Sequence, residues 1–142
     1  MPGEHLPPLD AREKIGRRIY NDRDFRRLQK GQPVPRLFKE KDGVSELSVD
    51  RLSHDSIRAV AEVASKGSAS RGGIFWGWAA LSVSEAQNSG RIVLETPFLD
   101  NPYHADIVIP LRGGDDDRDI QFAHANQLAA NAVLVVSPSL ST

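Results

Sequence analysis

The run Asp100-Asn101-Pro102-Tyr103-His104-Ala105-Asp106-Ile107-Val108-Ile109-Pro110 constrains the fold most tightly, because a turn and a strand are written into it side by side. Asx side chains bond their own backbone and proline fixes φ, so Asp100-Asn101-Pro102 specifies a turn. The apolar segment behind it is rich in β-branched residues and closed by Pro110, which reads as a strand. Period-2 alternation puts His104, Asp106 and Val108 on one face and Ala105, Ile107 and Ile109 on the other. One face belongs to a core, and the other to solvent or chemistry.

Around this strand the chain reads as helix, short strands, helix, strand, helix, strand, strand, helix. Asp10 is placed as an N-cap, and Ile15, Ile19, Phe25 and Leu28 give a thin helical stripe ending at Gly31. Gln32-Pro33-Val34-Pro35 reads as a linker, and Arg36-Leu37-Phe38 as a short strand. Glu46 to Leu52 alternates, with Leu47, Val49 and Arg51 opposite Ser48, Asp50 and Leu52. Ser53 is expected to cap a helix carrying Ile57, Val60, Ala61 and Ala64, with Gly67 as its stop. Ile74 to Leu81 is continuously apolar and holds both tryptophans, so it is expected as the sheet centre, buried on both faces with Trp76 and Trp78 on the same side. Ser82-Val83-Ser84-Glu85 is a capping box opening a short helix that Asn88-Ser89-Gly90 closes, and Arg91 to Glu95 returns as a strand. Asp116 or Asp117 is expected to cap a helix from about residue 118 to 134, while Val133 to Val136 fits either its end or a last strand.

These elements predict one α+β domain: a mixed sheet of four or five strands with helices mainly on one face, plus a basic N-terminal helix. The expected division is a basic extension over 1–34, a compact body over 35–136 and a tail over 137–142. A chain of 142 residues is one domain long and buries roughly two thirds of its unfolded surface. It has no cysteine, which excludes disulfides, zinc–thiolate sites and thiol nucleophiles. No apolar run reaches the roughly 18 residues of a membrane span, and the N-terminus lacks a signal-peptide pattern, so a cytoplasmic protein is expected.

The net charge of −1 conceals a strong asymmetry: Ala11 to Lys41 carries eleven Lys or Arg against four acids, a net +7. Such a split marks either a basic arm for nucleic acid, through Arg17, Arg18, Arg26 and Arg27, or internal pairing across an acidic body. With only Tyr20 and Phe25 as aromatics within the run, pairing is favoured over nucleic-acid binding.

Candidate chemistry centres on His104 and Asp106, two apart on a strand and so about 7 Å apart on one face. Two such groups fall short of a metal site, and their spacing matches no metalloenzyme pattern; neither metal nor cofactor is expected. An imidazole ordinarily titrates near neutrality, which suits His104 as a general acid or base oriented by Asp106. Arg36, Arg51, Arg71 and Arg91 each lie beside an expected strand, and Asp50-Arg51 stands at a strand end. Arg51 or Arg91 converging with His104 would hold an anionic or phosphorylated substrate. The plainer alternative is that the arginines are solvated edge residues, that Asp106 pairs with one of them and that His104 bonds a backbone carbonyl. No Walker, dinucleotide or Gly-x-Ser-x-Gly pattern is present.

The segments Leu47-Ser48-Val49-Asp50-Arg51-Leu52, Gly77-Trp78-Ala79-Ala80-Leu81-Ser82 with Gly90-Arg91, and Asn101-Pro102-Tyr103-His104-Ala105-Asp106-Ile107 resemble those of a loose group of small bacterial proteins that share an Asn-Pro-x-His-Ala turn. The resemblance covers about residues 36 to 110 and implies a bacterial source; it carries no activity. The favoured function is therefore a non-enzymatic interaction module docking on a larger protein. A small enzyme using His104, Asp106 and an arginine, and nucleic-acid binding through the basic segment, are the alternatives.

Overall fold

A computed structural model describes residues 6–53, 57–71 and 73–138. The protein is α+β. Its strands β1 (Lys14–Ile19), β2 (Glu46–Arg51), β3 (Gly77–Ser82), β4 (Ile92–Glu95), β5 (His104–Val108) and β6 (Val133–Val136) form one sheet in the order β4-β5-β2-β1-β3-β6. Every pairing is antiparallel, where a mixed sheet of four or five strands was expected. The helices are α1 (Asp22–Gln29), α2 (Ile57–Arg71), α3 (Val83–Ala86) and α4 (Asp117–Asn131).

The largest departure lies at the N-terminus, where the expected basic helix is instead a strand followed by a shorter helix. Ile15 and Ile19 stand four apart, a spacing that suits one helical face and one strand face equally well. As a strand the segment turns Ile15, Arg17 and Ile19 one way and Gly16 and Arg18 the other, and β1 pairs along its whole length with β3. It lies inside the sheet. Ile15 and Ile19 are fully buried, and Phe25, Leu28 and Val34 join the same core, so the basic segment and Pro33-Val34-Pro35 are packed parts of the body. The N-cap of α1 is Asn21, which accepts from the backbone of Arg23 and Asp24, and not Asp10, which closes a turn before β1 by accepting from the Arg12 N–H; Gly31 at φ 75° follows its end, as the sequence indicated. Pro35–Phe38 is a single 3-10 turn in place of a strand, opened by Pro35 and burying Phe38.

The second half follows its sequence signals more closely. In β5, Ala105 and Ile107 are buried, while His104, Asp106 and Val108 are half-buried. In β3 all of Gly77 to Leu81 is buried on both faces, although β1 and β2 occupy the sheet centre. The tryptophans separate: Trp76 packs with Phe25, ring centroids 5.0 Å apart, and Trp78 packs with Phe75 at 4.8 Å in the other cluster. Gly77 between them has φ 144°, and a Cβ there would stand 2.2 Å from the Val135 carbonyl oxygen, so only glycine permits this twist beside β6. The capping box forms as read, with Ser82 Oγ accepting from the Glu85 N–H and Glu85 accepting from the Ser82 N–H.

Two helix readings change. Gly67 does not stop α2, which continues to Arg71; a Cβ at Gly67 would lie 2.6 Å from the Tyr20 hydroxyl, so its role is close packing. Asp116 makes no capping bond, and Asp117 folds the preceding loop back by accepting from the Arg112 and Gly113 N–H groups. The α4 helix ends at Asn131, and Val133–Val136 is the edge strand β6. The Ser53 cap lies against residues outside those described, while Ser53 Oγ accepts from the Lys14 N–H. No helix among the described residues is long and apolar enough to cross a membrane.

Packing divides between the two faces. The α1, α3 and α4 helices and the 3-10 turn cover one face through Phe25, Leu28, Phe38, Val83, Ala86, Ala125 and Leu128. Of the described helices the other face carries α2, whose Val60, Ala61 and Ala64 join Trp78 and Phe75 in a second cluster. Because Ile15 and Ile19 are core residues, truncating either to alanine is expected to cost about 2–5 kcal/mol. Deleting residues 1–31 is expected to abolish the cooperative transition, both read by urea unfolding.

Candidate functional site

Between β1 and β2 the sheet splits. These strands are paired only at Ile15↔Arg51 and Gly16↔Asp50, whereas β1 stays with β3 as far as Ile19↔Gly77 and β2 stays with β5 as far as Glu46↔Val108. Carbonyls freed by the divergence need donors from elsewhere. Arg17 supplies one, donating to the Ser48 carbonyl at 2.9 Å, and it also donates to the Leu37 carbonyl of the 3-10 turn while pairing with Glu40 at 3.0 Å.

A cleft of about 730 Å³ occupies this split, bounded by Arg18, Tyr20, Ser48 and Asp50 from the strands, Val63, Lys66 and Gly67 from α2, and Phe98, Asp100, Asn101 and His104 from the β4–β5 hairpin. Its volume is that of an ordinary small-ligand site. At its floor Asp50, 1 % exposed, accepts from Arg18 Nε at 2.7 Å, Arg18 NH2 at 2.9 Å and Trp78 Nε1 at 2.9 Å. Burial pulls the Arg18 guanidinium down, but the hydrogen bonds and charge of Asp50 outweigh it and raise the group above its ordinary value. The guanidinium remains charged.

His104 stands on the wall. Its Nδ1 lies 2.8 Å from Thr96 Oγ1 and 3.0 Å from the Thr96 carbonyl oxygen, and a carbonyl only accepts, so Nδ1 carries the proton. In the neutral ring the Nε2 lone pair is then the one left for an incoming group. Phe98 stacks on the ring, with centroids 4.4 Å apart. Backbone bonding of His104 at the turn is thus part of the arrangement, and the other nitrogen remains open to chemistry.

The expected partners of His104 are dispersed. Asp106 projects from the same face but does not line the cleft, and none of Arg36, Arg51 and Arg91 lines the cleft with the histidine. Arg51 sits on the opposite face, buried against Glu13 at 2.6 and 2.9 Å. Arg91 is buried at the end of α3, donating to the Ala86 and Glu85 carbonyls, to Gln127 and to His124 Nδ1. Arg36 holds buried Asp24, and the Arg71 side chain lies outside what the structure describes. The basic segment divides likewise: Arg17 and Arg18 leave β1 on opposite faces, each toward a carboxylate, while Arg26 and Arg27 are exposed on α1 with Arg26 3.5 Å from Asp22. Arg17–Glu40, Arg26–Asp22 and Arg36–Asp24 are pairs within the basic segment, and Arg18–Asp50 and Lys39–Asp42 are the pairs that reach an acid beyond it, so pairing with the body offsets only part of the net +7. No cluster of three or more His, Asp or Glu able to hold a metal occurs among the described residues.

Sequence reasoning missed Lys66, Tyr20 and Phe98, and placed Arg18 with nucleic-acid contacts. Lys66 and Tyr20 carry no local signal for a shared cleft, since only tertiary packing brings α2 to β1. Phe98-Leu99 did carry one: an apolar pair embedded in turn chemistry. The Phe98 and Asn101 backbones close that turn with reciprocal hydrogen bonds of 3.0 and 3.2 Å, leaving Leu99 at the tip 99 % exposed. Comparison with known protein families, curated proteins and solved structures finds no match.

A second buried contact yields a pH dependence. Burial, and then the charge of Arg91, holds His124 below its ordinary value. The folded state consequently binds fewer protons than the unfolded chain as pH falls below about 6.5, the value of an unperturbed imidazole. Stability from this contact is full above that pH and declines on acidification. His124→Gln, which keeps an acceptor for Arg91, should flatten the acid limb of midpoint against pH between about 6.5 and 4.5 in urea denaturation.

Proposed function

We propose that the protein is a non-enzymatic accessory module of a bacterial cytoplasm that docks on a larger protein through the β4–β5 hairpin and the sheet face beside it. The observation that carries this reading is Leu99, a leucine 99 % exposed on a turn held rigid by two backbone hydrogen bonds. Monomeric surfaces tolerate scattered apolar residues, but a contiguous group points to a contact. Phe98 flanks Leu99 at 55 % exposure, and Ile92 and Leu94 expose 49 % and 47 % on β4. A preformed tip loses little conformational entropy on docking, and burying one leucine contributes about 1.5–3 kcal/mol. Leu99→Asp should leave the urea midpoint unchanged, since the side chain touches no core, and should weaken retention of the partner at least tenfold when immobilised wild-type and variant chains are compared in host extract. Equal retention of the same species by both would remove the hairpin from the reading.

One observation favours a second reading, a small enzyme or binder for an anionic or phosphorylated compound. His104, Lys66 and Arg18 belong to one cleft with Asp50 and Asp100, and because Arg18 is held by Asp50 an anion there would meet the histidine and Lys66 first, with the Arg18–Asp50 pair on the floor. On this reading the cation beside the histidine is Lys66 of α2 in place of Arg51 or Arg91. Titration with inorganic phosphate and pyrophosphate, followed by NMR, should shift the His104 ring and Lys66 Nζ resonances saturably. Linear or absent shifts at millimolar anion would discard it.

A further inference from the structure

On the side of the sheet that bears α2, the three strands β4, β5 and β2 present two successive rows: Ile92, Val108 and Glu46, then Leu94, Asp106 and Ser48. Ile92, Leu94, Glu46 and Ser48 are exposed, and Val108 and Asp106 half-buried, so no described element covers this part of the sheet. The opposite side of the same strands is closed: Val93, Ile107, Leu47, Ala105 and Val49 lie in the main core.

The open area has a definite size. Three strands about 4.8 Å apart span roughly 10–14 Å, close to the 10–12 Å diameter of one α-helix with its side chains. It adjoins α2, which already covers the β1–β3 half of that side. A single helix laid next to α2 would complete the layer.

Charge specifies what kind of helix. The two rows and the hairpin beside them carry Glu46, Asp106 and Asp100, and no Lys or Arg. None of these three carboxylates has an ion-pair partner among the described residues; Glu46 accepts only from the Ser45 hydroxyl. Apolar side chains interspersed with unpaired acids repel anionic lipid and nucleic acid and complement an apolar face edged with Lys or Arg.

We infer that the β4-β5-β2 face is a docking groove for a basic amphipathic helix of a partner protein, its apolar residues on Ile92, Leu94 and Val108 and its cations on Glu46 and Asp106. The inference rests on the interaction reading above and names the partner's chemistry. Leu99, at the end of the groove, would contact the partner beyond the helix.

The test uses the full chain and three fluorescent 18-residue peptides: an amphipathic Leu/Lys helix, its Leu/Glu counterpart, and a Leu/Lys sequence scrambled to lose its apolar stripe. Anisotropy titration should show the Leu/Lys helix binding at least tenfold more tightly than either control. Leu94→Asp should weaken it tenfold or more, and Glu46→Lys with Asp106→Lys should reverse the preference in favour of the Leu/Glu helix. Such reversal cannot arise from misfolding, because it demands a gain of binding. Binding of the Leu/Glu helix as tight as the Leu/Lys helix, or a Leu/Lys affinity unmoved by these substitutions, overturns the inference. The two readings fail separately: if no peptide binds but Leu99→Asp still abolishes partner retention, the interaction module survives and its helical, basic partner does not.

Discussion

Three adjacent strands converge on one carboxylate. Asp50 of β2 accepts two hydrogen bonds from Arg18 of β1 and one from the indole of Trp78 on β3, all on the face that bears α2. Removing a carboxylate from water is costly, and here charge-assisted and neutral donors together offset that cost. Breaking such a pair leaves a buried charge uncompensated, at a penalty of about 3–5 kcal/mol, whereas the intact pair confers little net stability over a hydrophobic replacement. Its consequence is geometric. With β1 and β2 joined by only two residue pairs, the Asp50–Arg18 contact ties them where they begin to diverge, and the cleft opens beyond it.

A second buried ion pair sits at the next position of β2, on the opposite face. Arg51 follows Asp50 and points to the opposite face, where Glu13 and the Pro7 carbonyl take its guanidinium and bring the N-terminal segment across the sheet. Consecutive residues of β2 thus fix β1 and its approach from both sides. The price of this arrangement is that cations which looked available in the sequence, Arg17, Arg18, Arg36 and Arg51, are occupied by Glu40, Asp50, Asp24 and Glu13. On the face formed by β2, β5 and β4 the sheet keeps acids without an ion-pair partner among the described residues, beside apolar side chains and a leucine at the hairpin tip. That imbalance, more than the cleft, distinguishes this sheet from one that is complete in itself.

Local signals made some of this legible in advance. Alternation along His104 to Ile109 assigned the correct face to every residue of β5, because burying one side of a strand forces a period of two whatever its neighbours are. The Ser82–Glu85 capping box and the end of α1 at Gly31 were readable because each joins residues only three or four apart. Continuous apolarity over residues 74–81, bounded by glycine and too short for a helix of ordinary length, pointed to a buried strand, which forms over Gly77 to Ser82 and is buried on both faces as far as Leu81. These features are properties of short segments.

Tertiary structure alone decided whether Ile15 and Ile19 belonged to a helix or a strand, for a spacing of four satisfies both periods and only pairing with β3 separates them. It decided the fates of Trp76 and Trp78, where Gly77 adopts a conformation that its place beside the Val135 carbonyl selects. It also decided which acid each arginine meets, over separations such as that between residues 18 and 50 or 13 and 51, and so which charges remain to face a partner. Sequence by itself determined local geometry and the inventory of charges. Strand order, which no short segment encodes, determined where those charges are neutralised and where the sheet is left uncovered.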